Sequence, residues 1–138
     1  MLVLELCLLT VKYDNNQYWV LSDGAILIVN DDPDMAELFA AGLEHSGFQP
    51  TICNDALSAD EKIRSSPDQF TLVLVDRTSQ RDTDFPKQVK SINNKMKVVL
   101  ASAFGFSDVE ISSSGYDQVL QLPIPISKLV STVREVLG

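Results

Sequence analysis

The residues of this chain best suited to chemistry are polar groups at the ends of short apolar runs. Asp31 and Asp32 close the run that begins Ala25-Ile-Leu-Ile-Val29, Asp76 follows Thr71-Leu-Val-Leu-Val75, and Ser102 follows Lys97-Val-Val-Leu-Ala101. Two carboxylates about 4 Å apart repel by roughly 4 kcal/mol at an effective dielectric near 20. A cluster of them either keeps a proton or holds a hard divalent cation, and Mg2+, with its preference for oxygen ligands and retained waters, suits it. Each residue also has a purely structural reading. Asp31-Asp32 before Pro33 can simply cap a helix, and Ser102 can simply make a turn.

What decides between these readings is whether the elements bring the residues together. A continuous apolar run is expected of a strand buried on both faces. After the first run, Asp32 can cap a helix that starts at Pro33, with Asp34 and Glu37 favouring its positive end. Met35, Leu38, Phe39, Gly42 and Leu43 share one helical face, and Gly47 ends the helix. Thr51-Ile-Cys53 reads as a weak strand, followed by a helix opened by Asn54 or Asp55 and running to about Ser66. The strand ending at Asp76 comes next, then a helix from Phe85 to about Ile92, the strand Lys97–Ala101, a serine-heavy helix over Ser107–Ser114 and a strand over Gln118–Leu122. Ser127 to Leu137 closes the chain as a helix, with Leu129, Val130, Val133, Val136 and Leu137 on one face. This alternation predicts an α/β fold, a (βα)5 doubly wound parallel sheet. In such sheets ligands bind outside the carboxyl ends of the strands. With strand order 2-1-3-4-5 the first and third strands are neighbours, so Asp31, Asp32 and Asp76 are expected to converge.

Residues 1–23 precede this alternation and read as a separate extension, with the main domain at 24–138. Leu2 to Val11 and Tyr18 to Leu21 are apolar and flank Asp14-Asn15-Asn16, a turn signal, which predicts a β-hairpin. Tyr13, Tyr18 and Trp19 serve its packing. Its apolar side has to be covered by the main domain, by a second copy in a homodimer, or by a partner.

The chain has 138 residues, with 45% apolar and 22% charged residues, which predicts one ordinary globular domain able to fold without disulfide or metal. Eleven basic against 19 acidic residues give a net charge of −8, which disfavours direct nucleic-acid binding and anionic membrane surfaces. The opening MLVLELCLLT lacks a basic flank and is too short to span a bilayer, so neither a targeting segment nor membrane insertion is expected. Cys7 and Cys53 match no metal or redox spacing and read as free thiols in a reducing cytoplasm. His45 sits where a cation suits the end of its helix.

Ile28-Val-Asn-Asp-Asp32, Leu72-Val-Leu-Val-Asp76, Val98-Val-Leu-Ala-Ser-Ala103 and Leu122-Pro123 resemble the signature stations of response-regulator receiver domains, CheY-like proteins of flavodoxin-like fold. The resemblance covers about residues 25–138 and implies a role in two-component signalling or a phosphorelay. It makes Asp76 the phosphoacceptor, taking a phosphoryl group from phosphohistidine on a sensor histidine kinase or a histidine phosphotransfer protein. It implies Mg2+ (or Mn2+) on Asp32 and Asp76, with Asp31 acting through water and the backbone carbonyl of Thr78 completing the ligands. Ser102 stands where the family places a hydroxyl that reaches for the acyl phosphate.

Three positions depart from the pattern. The usual Lys before the last Pro is Leu122, the aromatic switch position is Val119, and the residues after Asp76 are Arg77-Thr78-Ser79 instead of the usual Met-Pro. Arg77 is near enough in sequence to supply the missing positive charge. The leading expectation is a non-enzymatic, stand-alone receiver that signals to a downstream protein. The alternatives are a pseudo-receiver that binds without being phosphorylated, and a Mg2+-dependent phosphohydrolase. The latter is disfavoured because Thr78 stands where such enzymes need a second Asp.

Overall fold

A segment of five apolar residues buried at every position has to lie inside a sheet, and β3 (Ala25–Val29) does. The computed structural model describes residues 10–13, 17–20, 24–77, 84–103 and 115–138. On either side of β3 lie β4 (Gln49–Cys53) and β5 (Leu72–Arg77), followed outward from β5 by β6 (Lys97–Ser102) and β7 (Gln118–Gln121). All neighbours are parallel, in the order β4-β3-β5-β6-β7. This is the expected 2-1-3-4-5 topology. The strands run slightly further than expected at Gln49 and Ser102, and Asp76 lies within β5 instead of after it. Ahead of the sheet, β1 (Thr10–Tyr13) and β2 (Gln17–Val20) pair antiparallel as a hairpin, with Thr10 opposite Val20. Residues 2–9 of the predicted hairpin and the predicted helix at Ser107–Ser114 lie outside the described residues.

The pleat sorts the central strands into two cores. Leu27, Val29, Val73, Val75, Val98 and Leu100 face α2 (Ala56–Ser65) and α3 (Phe85–Ile92), where Ala59, Ile63, Phe85 and Val89 meet them. Ile26, Ile28, Leu72, Leu74, Val99 and Ala101 face α1 (Pro33–His45) and α4 (Ile126–Leu137), where Phe39, Leu43, Leu129 and Val133 complete the layer. Parallel strands covered by helices on both sides bury apolar groups on both faces, which is why the strands read as unbroken apolar runs.

The helix termini follow their sequence signals. Asp32 caps α1 by accepting from the backbone N–H groups of Asp34 at 3.0 Å and Met35 at 3.4 Å. Asp55 caps α2 by accepting from Ser58 N–H at 2.7 Å. Gly47 takes a positive φ of 99° just beyond α1, where a side chain would be strained. One expectation for α1 fails. Its buried stripe is Ala36, Phe39 and Leu43, with Met35 at the margin, and Leu38 is 51% exposed. Leu38 lies 100° of helical rotation from Phe39, on the side turned away from the sheet.

At Gly42, α1 lies against the start of α4. A Cβ built there would overlap the γ-methyl branch of Ile126, the first residue of α4. Helix propensity alone favours Ala at this position by about 1 kcal/mol. We expect the overlap to win, so that Gly42→Ala lowers stability by about 1–3 kcal/mol in urea denaturation. Adding Ile126→Ala should reverse much of that loss, and additive effects would rule out the contact.

Candidate functional site

The register of β3 on β5 sets the site. Ile26 lies beside Leu72, Ile28 beside Leu74 and Val29 beside Val75, so the next pair along is Asn30 and Asp76. Both have the parity of the α1/α4 face and stand side by side at the carboxyl edge of the sheet. Asn30 Nδ2 donates to Asp76 Oδ2 at 2.8 Å, in a buried contact. The other end of the same amide accepts from Asp32 N–H at 2.9 Å. Asp76 Oδ1 is buried and has no hydrogen-bond partner among the described residues. On the other side, Ala101 lies opposite Asp76, and Ser102, 1% exposed, is the next residue of β6.

Asn30 is therefore the neighbour of Asp76, and the expected roles of Asp31 and Asp32 change. Asp32 is exposed, and its Oδ1 accepts from the first amides of α1. The capping reading of this residue holds. Asp31 is exposed at the rim. Among the described residues no three of His, Cys, Asp and Glu gather closely enough to hold a metal ion. The signal that would have found Asn30 was present in the period of two: it follows Ile26 and Ile28 on the same strand face.

Burial pushes the Asp76 carboxyl up to about 6, against the downward pull of the Asn30 hydrogen bond; the charges of Asp31 and then Asp32 add to the rise. The unpartnered, buried Oδ1 fits an oxygen-seeking cation or an electrophilic phosphorus. Asp31 and Asp32 lie near enough to act on the Asp76 carboxyl electrostatically, while the Asn30 NH2 bonds its other oxygen.

At the far edge, Leu122 is half-buried and packs on the α1/α4 core, and Val119 packs on the α2/α3 core. Leu122 N–H donates to Ser102 O at 2.7 Å, which draws the end of β7 against the end of β6. Gln121 Nε2 reinforces this by donating to Ala103 O at 3.0 Å and to Leu122 O at 3.2 Å. The Leu122–Pro123 peptide bond is cis. Thr78 and the side chain of Arg77 lie outside the described residues, as do the roles expected of them.

No family model matches the chain. Over 117 residues it is 33% identical to the transcriptional regulatory protein ZraR of Klebsiella oxytoca, a match that takes in 82% of this chain and 26% of that protein. The chain thus spans about a quarter of the length of this curated relative. Among solved structures, the CheY-like response regulator receiver domain protein of Methanospirillum hungatei superposes with a TM-score of 0.73 at 23% identity, over 84% of this chain and 94% of that one. An orphan response regulator of H. pylori gives 0.73 at 17% identity, over 84% and 99%. A response regulator receiver protein of Sinorhizobium medicae gives 0.71 at 24% identity, over 85% and 96%. The chain has the CheY-like receiver fold, and its resemblance to response-regulator receiver domains holds in both sequence and structure.

The raised Asp76 pKa makes a pH prediction. The folded state keeps this proton to higher pH than the unfolded chain, whose Asp titrates near 4. The favourable contribution is complete below about 4 and is lost as pH rises through about 6. Asp76→Asn should therefore gain stability over wild type between pH 4 and pH 7, on the order of 2–3 kcal/mol, in denaturation with chelator present. A gap that stays constant with pH would show that the carboxyl titrates normally.

Proposed function

We propose that this chain is a phosphorylatable receiver domain with Asp76 as its phosphoacceptor. The observation that carries the reading is the state of that side chain. Among the described residues Asp76 is the one buried charged group, and it holds one oxygen tethered and the other free at the carboxyl edge of the sheet. A buried carboxylate with an open lone pair, aimed where α/β sheets bind ligands, suits a nucleophile.

In the proposed reaction an Asp76 oxygen attacks phosphorus of a phosphohistidine. The new O–P bond forms as the P–N bond breaks, and the ring leaves as neutral imidazole after taking up one proton. Mg2+, held by Asp76 and Asp31, would neutralise charge on the transferring oxygens. Ser102, buried at the end of β6, would be the hydroxyl that meets a phosphoryl oxygen in this reading. The donor is a histidine kinase or phosphotransfer protein, and the output passes to a downstream protein. The name of the relative ZraR supports a regulatory role. Among the described residues no helix is long and apolar enough to cross a membrane, and Cys53 is a free, buried thiol; we assign the domain to the cytoplasm.

A pseudo-receiver that binds without phosphorylation is the second reading, favoured by Leu122, whose aliphatic side chain is packed into the core and offers no ammonium. Incubation with Mg2+ and acetyl phosphate, followed by intact mass, separates the two. Gain of one phosphoryl group, absent in Asp76→Asn, is the expected result; no gain at any Mg2+ concentration leaves the pseudo-receiver.

A charge-assisted hydrogen bond to the phosphoryl group contributes roughly 1.5–3 kcal/mol. Leu122→Lys should accordingly speed phosphorylation about ten-fold or more. Equal rates would mean that another cation already fills the role, with Arg77→Ala as the next variant to assay.

A further inference from the structure

Asn30 is only 3% exposed, at the end of a strand whose other residues are apolar. Its amide is clasped from both ends. Asp32 N–H donates to its Oδ1 at 2.9 Å, and its Nδ2 donates to Asp76 Oδ2 at 2.8 Å. A backbone N–H can only donate, so the amide oxygen has to face Asp32 and the NH2 has to face Asp76. The reversed orientation would set donor against donor and acceptor against acceptor. The orientation is thus dictated by chemistry, and it divides the two oxygens of Asp76 into one that is held and one, Oδ1, that is buried and has no partner among the described residues.

A bland reading is that Asn30 closes the strand with an Asx turn onto Asp32. That needs only the side-chain oxygen, which Asp or Ser would supply as well. The NH2 is the part the turn does not use, and it is the part that touches Asp76. With Asp at position 30, the oxygen replacing Nδ2 would lie at hydrogen-bond distance from Asp76 Oδ2. Two facing carboxylates need a cation or a proton between them.

We propose that Asn30 is a positioning residue for Asp76: its amide anchors Oδ2, presents Oδ1 as the attacking oxygen, and occupies with a neutral donor the place where an acceptor would recruit a divalent cation. The consequence is a carboxylate held in place by the protein alone, with weakened cation binding. The inference rests on the phosphoacceptor reading only for the identity of the group that Oδ1 meets.

The test uses the full chain, with Mg2+ alone as probe, followed by amide NMR. Asn30→Asp should bind Mg2+ at least ten-fold more tightly than wild type, with the signals of residues 30–32 and 76 moving first. In wild type the Asn30 side-chain NH2 signal should be resolved, and it should move in Asp76→Ala, a measurement that needs no change at position 30. At saturating Mg2+, Asn30→Ala should take up phosphoryl from acetyl phosphate at least ten-fold more slowly than wild type. Equal Mg2+ affinity in wild type and Asn30→Asp, or an Asn30 NH2 signal indifferent to Asp76→Ala, would overturn the proposal. If both binding readouts come out as expected and no variant accepts phosphate, the anchoring of Asp76 by Asn30 is supported and the phosphoacceptor reading is what falls.

Discussion

A single buried hydrogen bond, Asn30 Nδ2 to Asp76 Oδ2, is the point on which the functional edge of this domain turns. A carboxylate at the end of an apolar parallel sheet is costly unless it is paired or bonded. Here half of it is bonded and half is left open. That arrangement requires β3 and β5 to be neighbours in a register that sets residue 30 against residue 76. It also requires Asp32 N–H to orient the amide, and that in turn needs α1 to begin where it does.

The two cores supply the rigidity this requires. Each central strand gives alternate residues to each helical layer, so a slip of one residue would exchange the layers and remove Asn30 from the side of Asp76. The site edge is tied down separately, by Leu122 N–H on Ser102 O and by Gln121 across the ends of β6 and β7. Leu122 and Val119 are spent on packing, one against each core. Both positions at the last strand therefore supply apolar contact. What remains for chemistry is concentrated at β3 and β5.

Solved receiver structures share this fold at 17–24% identity, so the architecture tolerates wide substitution. Fold alone does not assign the chemistry. What sets this edge apart is one side chain's burial, its hydrogen bond to Asn30 and its other oxygen, without a partner among the described residues. The amide at position 30 is neutral, and the leucine at position 122 packs against the core.

The architecture was legible in the amino-acid order. Apolar runs of strand length, caps at Asp32 and Asp55, and Gly47 after α1 are local signals, and each acts through neighbours within a few residues. Asp76 was legible too, because an acid directly after a buried run has few places to go. The amphipathic face of α1 was read one side chain too wide at Leu38, since periodicity tells which residues share a side but not where the sheet stops covering it. Which acid meets Asp76 was settled only by tertiary structure. Asp31 and Asp32 look equivalent in sequence, yet one is left at the rim and the other is taken by the amides of α1. The place beside Asp76 goes to Asn30, because strand register is a long-range pairing between segments 46 residues apart and not a property of either segment alone.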